Sequence, residues 1–209
     1  MTLQNRVDPF GNILAVPERG TCMGNRGVLH GDRQNLRRYH QHKHWVICRL
    51  DFKGRHRPVM APGTYTELFF LDEATALAAG HRPCGEYSRG RYEEFRRLWR
   101  QAQPEETSNI DNVLHRERFI PYRQVWLEKK RTHPMPIDAL PAGTFIVLAD
   151  DSRPYLVLAD TLRPWSFGGY GPAIERPAGR TVVVLTPPST VRTLAAGYRP
   201  QIHPEPYLL

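Results

Sequence analysis

Residues 65–87 read Y-T-E-L-F-F-L-D-E-A-T-A-L-A-A-G-H-R-P-C-G-E-Y, and this stretch decides the fold. Tyr65 to Leu71 is aromatic and apolar, the composition of a buried strand. Asp72 is a good N-cap, and Glu73 favours the positive end of the helix that follows. Ala74 to Ala79 is almost entirely helix former. Gly80 supplies the left-handed residue that stops such a helix, so a positive φ is expected there. Arg82-Pro83 bars a return to helix and sets Cys84 on a turn. Twenty-three residues thus hold a strand, a capped helix, its stop and a cysteine corner.

On these residues the tract resembles the metal-binding domain of Ada-type methylphosphotriester repair proteins. It is also similar to the related small modules appended to some nucleases. The likeness rests on Phe69-Phe70-Leu71-Asp72 and on Ala78-Ala79-Gly80-His81-Arg82-Pro83-Cys84, and it covers about residues 20–90 at most. It implies a zinc site at the corner and contact with nucleic acid. Where the family has its next ligand cysteine, this chain has Tyr87. A phenol is a poor zinc ligand near neutral pH, because its reference pKa is about 10. The remaining metal candidates are Cys84, Cys48, His30, Cys22 and His81, a donor set that would take zinc. No C-x-x-C or H-x₃-H pair supports them, so no cofactor is favoured. Packing of Tyr87 with Phe69 and Trp99 is expected to hold the corner instead. The family's methyl-accepting thiolate belongs to an upstream cysteine pair that this chain lacks, so that activity is not implied.

Outward from the corner, charge is the next signal. The chain of 209 residues carries a net charge of +8. All of that excess lies in residues 1–133, with 23 Lys+Arg against 15 Asp+Glu; residues 134–209 are balanced at 6 against 6. A concentrated basic tract is the footprint of a phosphate-backbone binder. The candidates for nucleic-acid contact are Arg33, Arg37, Arg38, Lys43, Arg55, Arg57, Arg96, Arg97 and Arg100, with Tyr39, Trp45 and Trp165 as stacking aromatics. No run of 18 apolar residues is present, so no membrane partner is expected. Three cysteines without a signal peptide point to reduced thiols and a cytoplasmic protein.

A second reading centres on Gly24-Asn25-Arg26-Gly27-Val28-Leu29-His30-Gly31-Asp32. A glycine-framed turn can gather polar side chains at one place. His30 as general base, Asn25 and Arg26 as transition-state donors and Asp32 as a magnesium ligand would make a phosphodiesterase or nuclease. His115, Glu117 and Arg118 could join them. A third reading is a protein-interaction module without nucleic acid.

The expected fold class is α+β. Residues 1–106 form a small antiparallel sheet with helices, 107–133 a helical connector, and 134–209 a β-rich, partly open barrel-like module. Helices are expected over 88–103, 109–119 and 190–196, with a helical continuation over 123–131. Thr132 to Pro136 is the expected boundary, and Leu162 to Gly171 an aromatic, glycine-rich loop. Leu77-Ala-Ala-Gly-His-Arg-Pro83 is echoed by Leu194-Ala-Ala-Gly-Tyr-Arg-Pro200. The chemistry of both is that of a helix stop rather than of a duplicated domain.

Overall fold

The computed structural model describes residues 2–50, 58–120 and 129–204. At its centre is α1 (Glu73–Ala78), which behaves as its sequence dictates. Asp72 Oδ1 accepts from the Thr75 amide at 2.8 Å, and Gly80 has φ +88°. The His81 amide reaches back to the Ala76 carbonyl at 3.0 Å, closing a Schellman stop. All six residues of α1 are buried, Glu73 and Thr75 included. Ala76 and Leu77 pack with Phe70, Phe95 and Leu98 on one side. Ala74 and Ala78 pack with Phe145, Trp165 and Tyr170 on the other. Small side chains let two layers close on one short helix.

The first layer is a six-stranded sheet. Its strands are β1 (Arg6–Val7), β2 (Ile13–Leu14), β3 (Cys22–Asn25), β4 (Val46–Arg49), β5 (Leu68–Phe70) and β6 (Arg82–Pro83), in the order β2-β1-β5-β3-β4-β6. The sheet is mixed: β1 with β5 and β4 with β6 run parallel, and the other pairs are antiparallel. An antiparallel sheet was the expectation. The parallel edge arises because α1 carries the chain across from β5 to the far side of β4. Against this sheet lie α2 (Arg89–Ala102), burying Phe95, Leu98 and Trp99, and α3 (Ile110–Arg118), capped by the Asn109 side chain on the Asn112 amide. A buried fork joins α3 to β6: Arg82 Nε and Nη2 donate to Asp111 Oδ1 and Oδ2 at 2.8 and 2.7 Å.

After α3 come β7 (Phe119–Ile120) and β8 (Lys129–Lys130), paired antiparallel. The expected helical continuation therefore ends at a strand where the chain is described; residues 121–128 lie outside the described residues. The second layer is antiparallel throughout. It comprises β9 (His133–Pro136), β10 (Phe145–Leu148), β11 (Asp151–Val157), β12 (Thr161–Ser166), β13 (Gly169–Tyr170), β14 (Ile174–Glu175) and β15 (Thr181–Val184). The order is β13-β12-β11-β10-β15-β9, with β14 also on β12. It is an open sheet, not a closed barrel. The α+β class stands. Thr132 to Pro136 supplies an edge strand, β9, where two prolines need no ladder partner. Leu162 to Gly171 is a β-hairpin, β12 to β13, not a loop.

The two layers are stitched at the start of α1. Asp72 Oδ2 accepts from the Tyr170 hydroxyl at 2.7 Å and from the His203 amide at 2.9 Å. Glu73 accepts from the Tyr198 hydroxyl at 2.5 Å, from Arg91 Nη2 at 2.7 Å and from the Gln201 amide at 2.8 Å. The last helix, α4 (Pro188–Ala195), packs on α2, and Tyr198 stands edge-on to Phe95 at 5.2 Å. The echoed motif is the same Schellman stop twice. Gly197 has φ +113°, and the Tyr198 amide donates to the Thr193 carbonyl. In each copy the residue after the glycine, His81 or Tyr198, is fully buried. Among the described residues no helix is long and apolar enough to cross a membrane.

Candidate functional site

The cysteine corner forms from strand pairing. β4 and β6 run parallel with Val46 opposite Arg82 and Ile47 opposite Pro83. The next step of that register puts Cys48 across from Cys84, and the Cys84 amide donates to the Ile47 carbonyl at 2.9 Å. Cys48 is buried and Cys84 half-exposed. Interaction with the Cys48 thiol, together with the Tyr87 and Glu86 amides and the Arg82 charge, pulls Cys84 down to about 6, against the opposing effect of burial. Cys48 is pushed far up, first by its interaction with Cys84 and then by burial. Tyr87 is half-buried, and its amide meets Cys84 Sγ at 3.5 Å.

Beside the corner lies a recess of about 870 Å³, whose walls include Cys22, Cys48, Arg49, Glu86 and Tyr87. Glu73 is also there, neutralised by Arg91. Cys22 approaches from β3, its thiol raised by burial and then by Asp72 and Glu73.

Of the metal candidates, both histidines are engaged elsewhere. His30 Nε2 faces the Ala61 carbonyl at 3.2 Å, so it carries the proton, and Nδ1 accepts from the Thr66 hydroxyl at 2.6 Å. His81 sits in the core, where burial and then Arg26 and Arg118 hold it neutral. Its Nε2 accepts from Arg26 at 3.3 Å. Among the described residues no three His, Cys, Asp or Glu side chains are grouped to hold a metal ion.

The turn proposed for phosphodiester chemistry does not gather its side chains. Asn25 Oδ1 accepts from the Gly27 amide at 3.3 Å. Arg26 turns inward and is 0% exposed. Its guanidinium lies 4.1 Å from the Trp45 ring centre and 4.5 Å from that of Tyr39, and Nη2 donates to the Gly11 carbonyl. His30 has its basic nitrogen engaged by Thr66, and Asp32 is exposed. His115 packs on Phe119 at 4.3 Å and is lowered to about 4, by burial and then by Arg118. Glu117 accepts from the Ser189 amide and hydroxyl, and Arg118 donates to the Gly80 and Lys43 carbonyls. These groups hold the fold together.

The stacking aromatics are likewise engaged within the fold, Tyr39 being half-buried. Trp45 is buried between Arg26 and Arg118, whose guanidinium is 3.7 Å from its ring centre. Trp165 donates to Thr75 Oγ1 at 3.1 Å, and the Tyr39 hydroxyl to the Gly11 carbonyl. The basic candidates divide. Arg33, Arg37, Arg38 and Lys43 are exposed between β3 and β4, Lys43 reaching Asn112 Oδ1 at 3.2 Å. Arg96, Arg97 and Arg100 form the exposed face of α2. Arg55 and Arg57 lie outside the described residues. The sequence singled out Cys84, Cys48 and Tyr87 but not Arg49 or Glu86, since only the β4–β6 pairing brings those two to the recess. No protein-family model matches this chain, and no curated protein or solved structure matches it either.

Proposed function

We propose that this protein binds nucleic acid through exposed arginines. One observation carries the reading: Arg33, Arg37, Arg38, Arg96, Arg97 and Arg100 all face solvent, and none has an ion-pair partner among the described residues. Their neighbours Arg89, Arg91 and Arg116 are paired, with Glu93, with Glu73 and Glu94, and with Glu106. Six guanidiniums without an ion-pair partner among the described residues, on a chain of net charge +8, suit a polyanion. Arginine also matches phosphate through its planar fork of donors. Since the aromatics are engaged within the fold, recognition would run through the backbone phosphates rather than the bases. The likeness to the Ada-type metal-binding domain belongs to the same proposal. Its support is the order of strand, capped helix, Schellman stop and Cys84. A cytoplasmic location belongs to it too, on the three free cysteines.

The test is fluorescence anisotropy with a duplex and a single strand of mixed sequence over a salt series. Each phosphate contact adds about −0.9 to the slope of log affinity against log salt on duplex DNA, and about −0.7 on single strands. Replacing Arg96, Arg97 and Arg100 with Gln is expected to flatten the duplex slope by about 2 to 3. Affinity indifferent to salt, or a variant with the parent slope, would refute the reading.

A further inference from the structure

The β4–β6 edge carries chemistry that phosphate binding does not use. We propose that Cys84 and Cys48 form a thiol–disulfide exchange site, in which Cys84 attacks a low-molecular-weight disulfide entering from the adjoining recess and Cys48 resolves the adduct. The proposal is independent of the nucleic-acid reading.

Three observations carry it. The first is register. Cys48 and Cys84 face each other on adjacent parallel strands, one step beyond the Ile47–Pro83 pair. Neighbouring strands lie about 4.8 Å apart, within the roughly 4.4–6.8 Å that a disulfide needs between Cα atoms. The second is the division of labour. Cys84 is partly exposed, and the Tyr87 amide donates to its sulfur at 3.5 Å. Cys48 is buried, its thiol raised by its interaction with Cys84 and by burial. That asymmetry suits an attacking and a resolving sulfur. The third is space. The recess of about 870 Å³ is walled by Cys48 and by Pro83, Glu86 and Tyr87, the residues on either side of Cys84, and has room for a small peptide-like disulfide.

The steps balance. The Cys84 thiolate forms a bond to one sulfur of the incoming disulfide, and the other sulfur leaves as a thiolate. Cys48 then loses its proton to solvent or to that thiolate, and its sulfur attacks Cys84 Sγ. The Cys48–Cys84 bond forms, and the second half of the small disulfide leaves as a thiolate. One small disulfide is reduced to two thiols, and two protein thiols are oxidised to one disulfide. Cys22 takes no part, because burial and the Asp72 and Glu73 carboxylates keep it protonated.

The experiment uses the reduced full chain, oxidised glutathione at neutral pH, and intact-mass and peptide mapping over time. The parent is expected to end with a Cys48–Cys84 bond and a free Cys22. Cys48→Ser should stop with glutathione on Cys84, and Cys84→Ser should leave Cys48 unmodified. If either variant fails to fold, brief iodoacetamide labelling of the parent serves instead, with Cys84 expected to react well ahead of Cys22 and Cys48. Glutathione on Cys22 alone would overturn the proposal. So would a Cys84 no faster than the thiol of an unstructured peptide, or one that reacts only after a chelator is added, since the pair would then be holding a metal.

Discussion

At the scale of single residues, the two helix-stop glycines give a matched test of what the left-handed conformation costs. A side chain at Gly80 would meet Arg118 Cδ and Cβ at 2.7 and 2.8 Å, while one at Gly197 meets nothing within 4 Å. Both glycines have positive φ. Gly197→Ala should therefore cost only the backbone term, about 1–2 kcal/mol. Gly80→Ala should cost that and the displacement of a buried arginine besides, about 3 kcal/mol or more. Urea midpoints of the two variants against the parent read the difference, and equal losses would mean that Arg118 moves freely. Gly80, Asp72 and Cys84 were legible in the sequence because capping chemistry is local. Arg26 was not. A glycine-framed arginine looks like a catalytic donor, and nothing nearby in the chain announces that Trp45, Tyr39 and His81 will enclose it.

At the scale of elements, helices were read more closely than strands, because a helix closes its own hydrogen bonds and a strand needs a partner chosen by the fold. Thus α2 and α3 sit where their apolar spacing put them. The parallel pairing of β4 with β6 could not be read, and with it went the recess and the facing of Cys48 and Cys84. β8 shows a further consequence. It carries Lys130 to the Ala78 carbonyl, near Arg26 and Arg118, and the amine is lowered to about 7 by burial and then by those two charges, with Asp8 opposing. The unfolded chain then binds more protons than the folded one between about pH 7 and pH 10, so this group makes stability rise with pH across that window. Lys130→Met should remove the rise. Relative to the parent, the variant is expected to fare best at pH 7 and progressively worse by pH 9 in urea titrations, whereas a constant gap would show that the amine is charged throughout.

At the scale of the whole molecule, charge and core divide the chain differently. Charge separates residues 1–133 from 134–209, but the core does not. Leu194 and Tyr198 belong to the same cluster as Phe95 and Trp99, while Leu71 and Ala74 share theirs with Phe145 and Tyr170. The full chain is accordingly expected to unfold in one transition, with near- and far-ultraviolet circular dichroism coinciding in urea. Separated transitions would mean that the layers are independent. The carboxylates at the start of α1 give this interdependence an order in time. Asp72 and Glu73 leave the ribosome early, yet their partners at Tyr198, Gln201 and His203 are 125 to 131 residues away in the chain. Until those residues are synthesised, Glu73 has Arg91 and Asp72 has Thr75, but the remaining partners are missing and α1 cannot be enclosed on both sides. Completion of this fold therefore waits on the synthesis of residues 198–203, and the first layer cannot mature ahead of it.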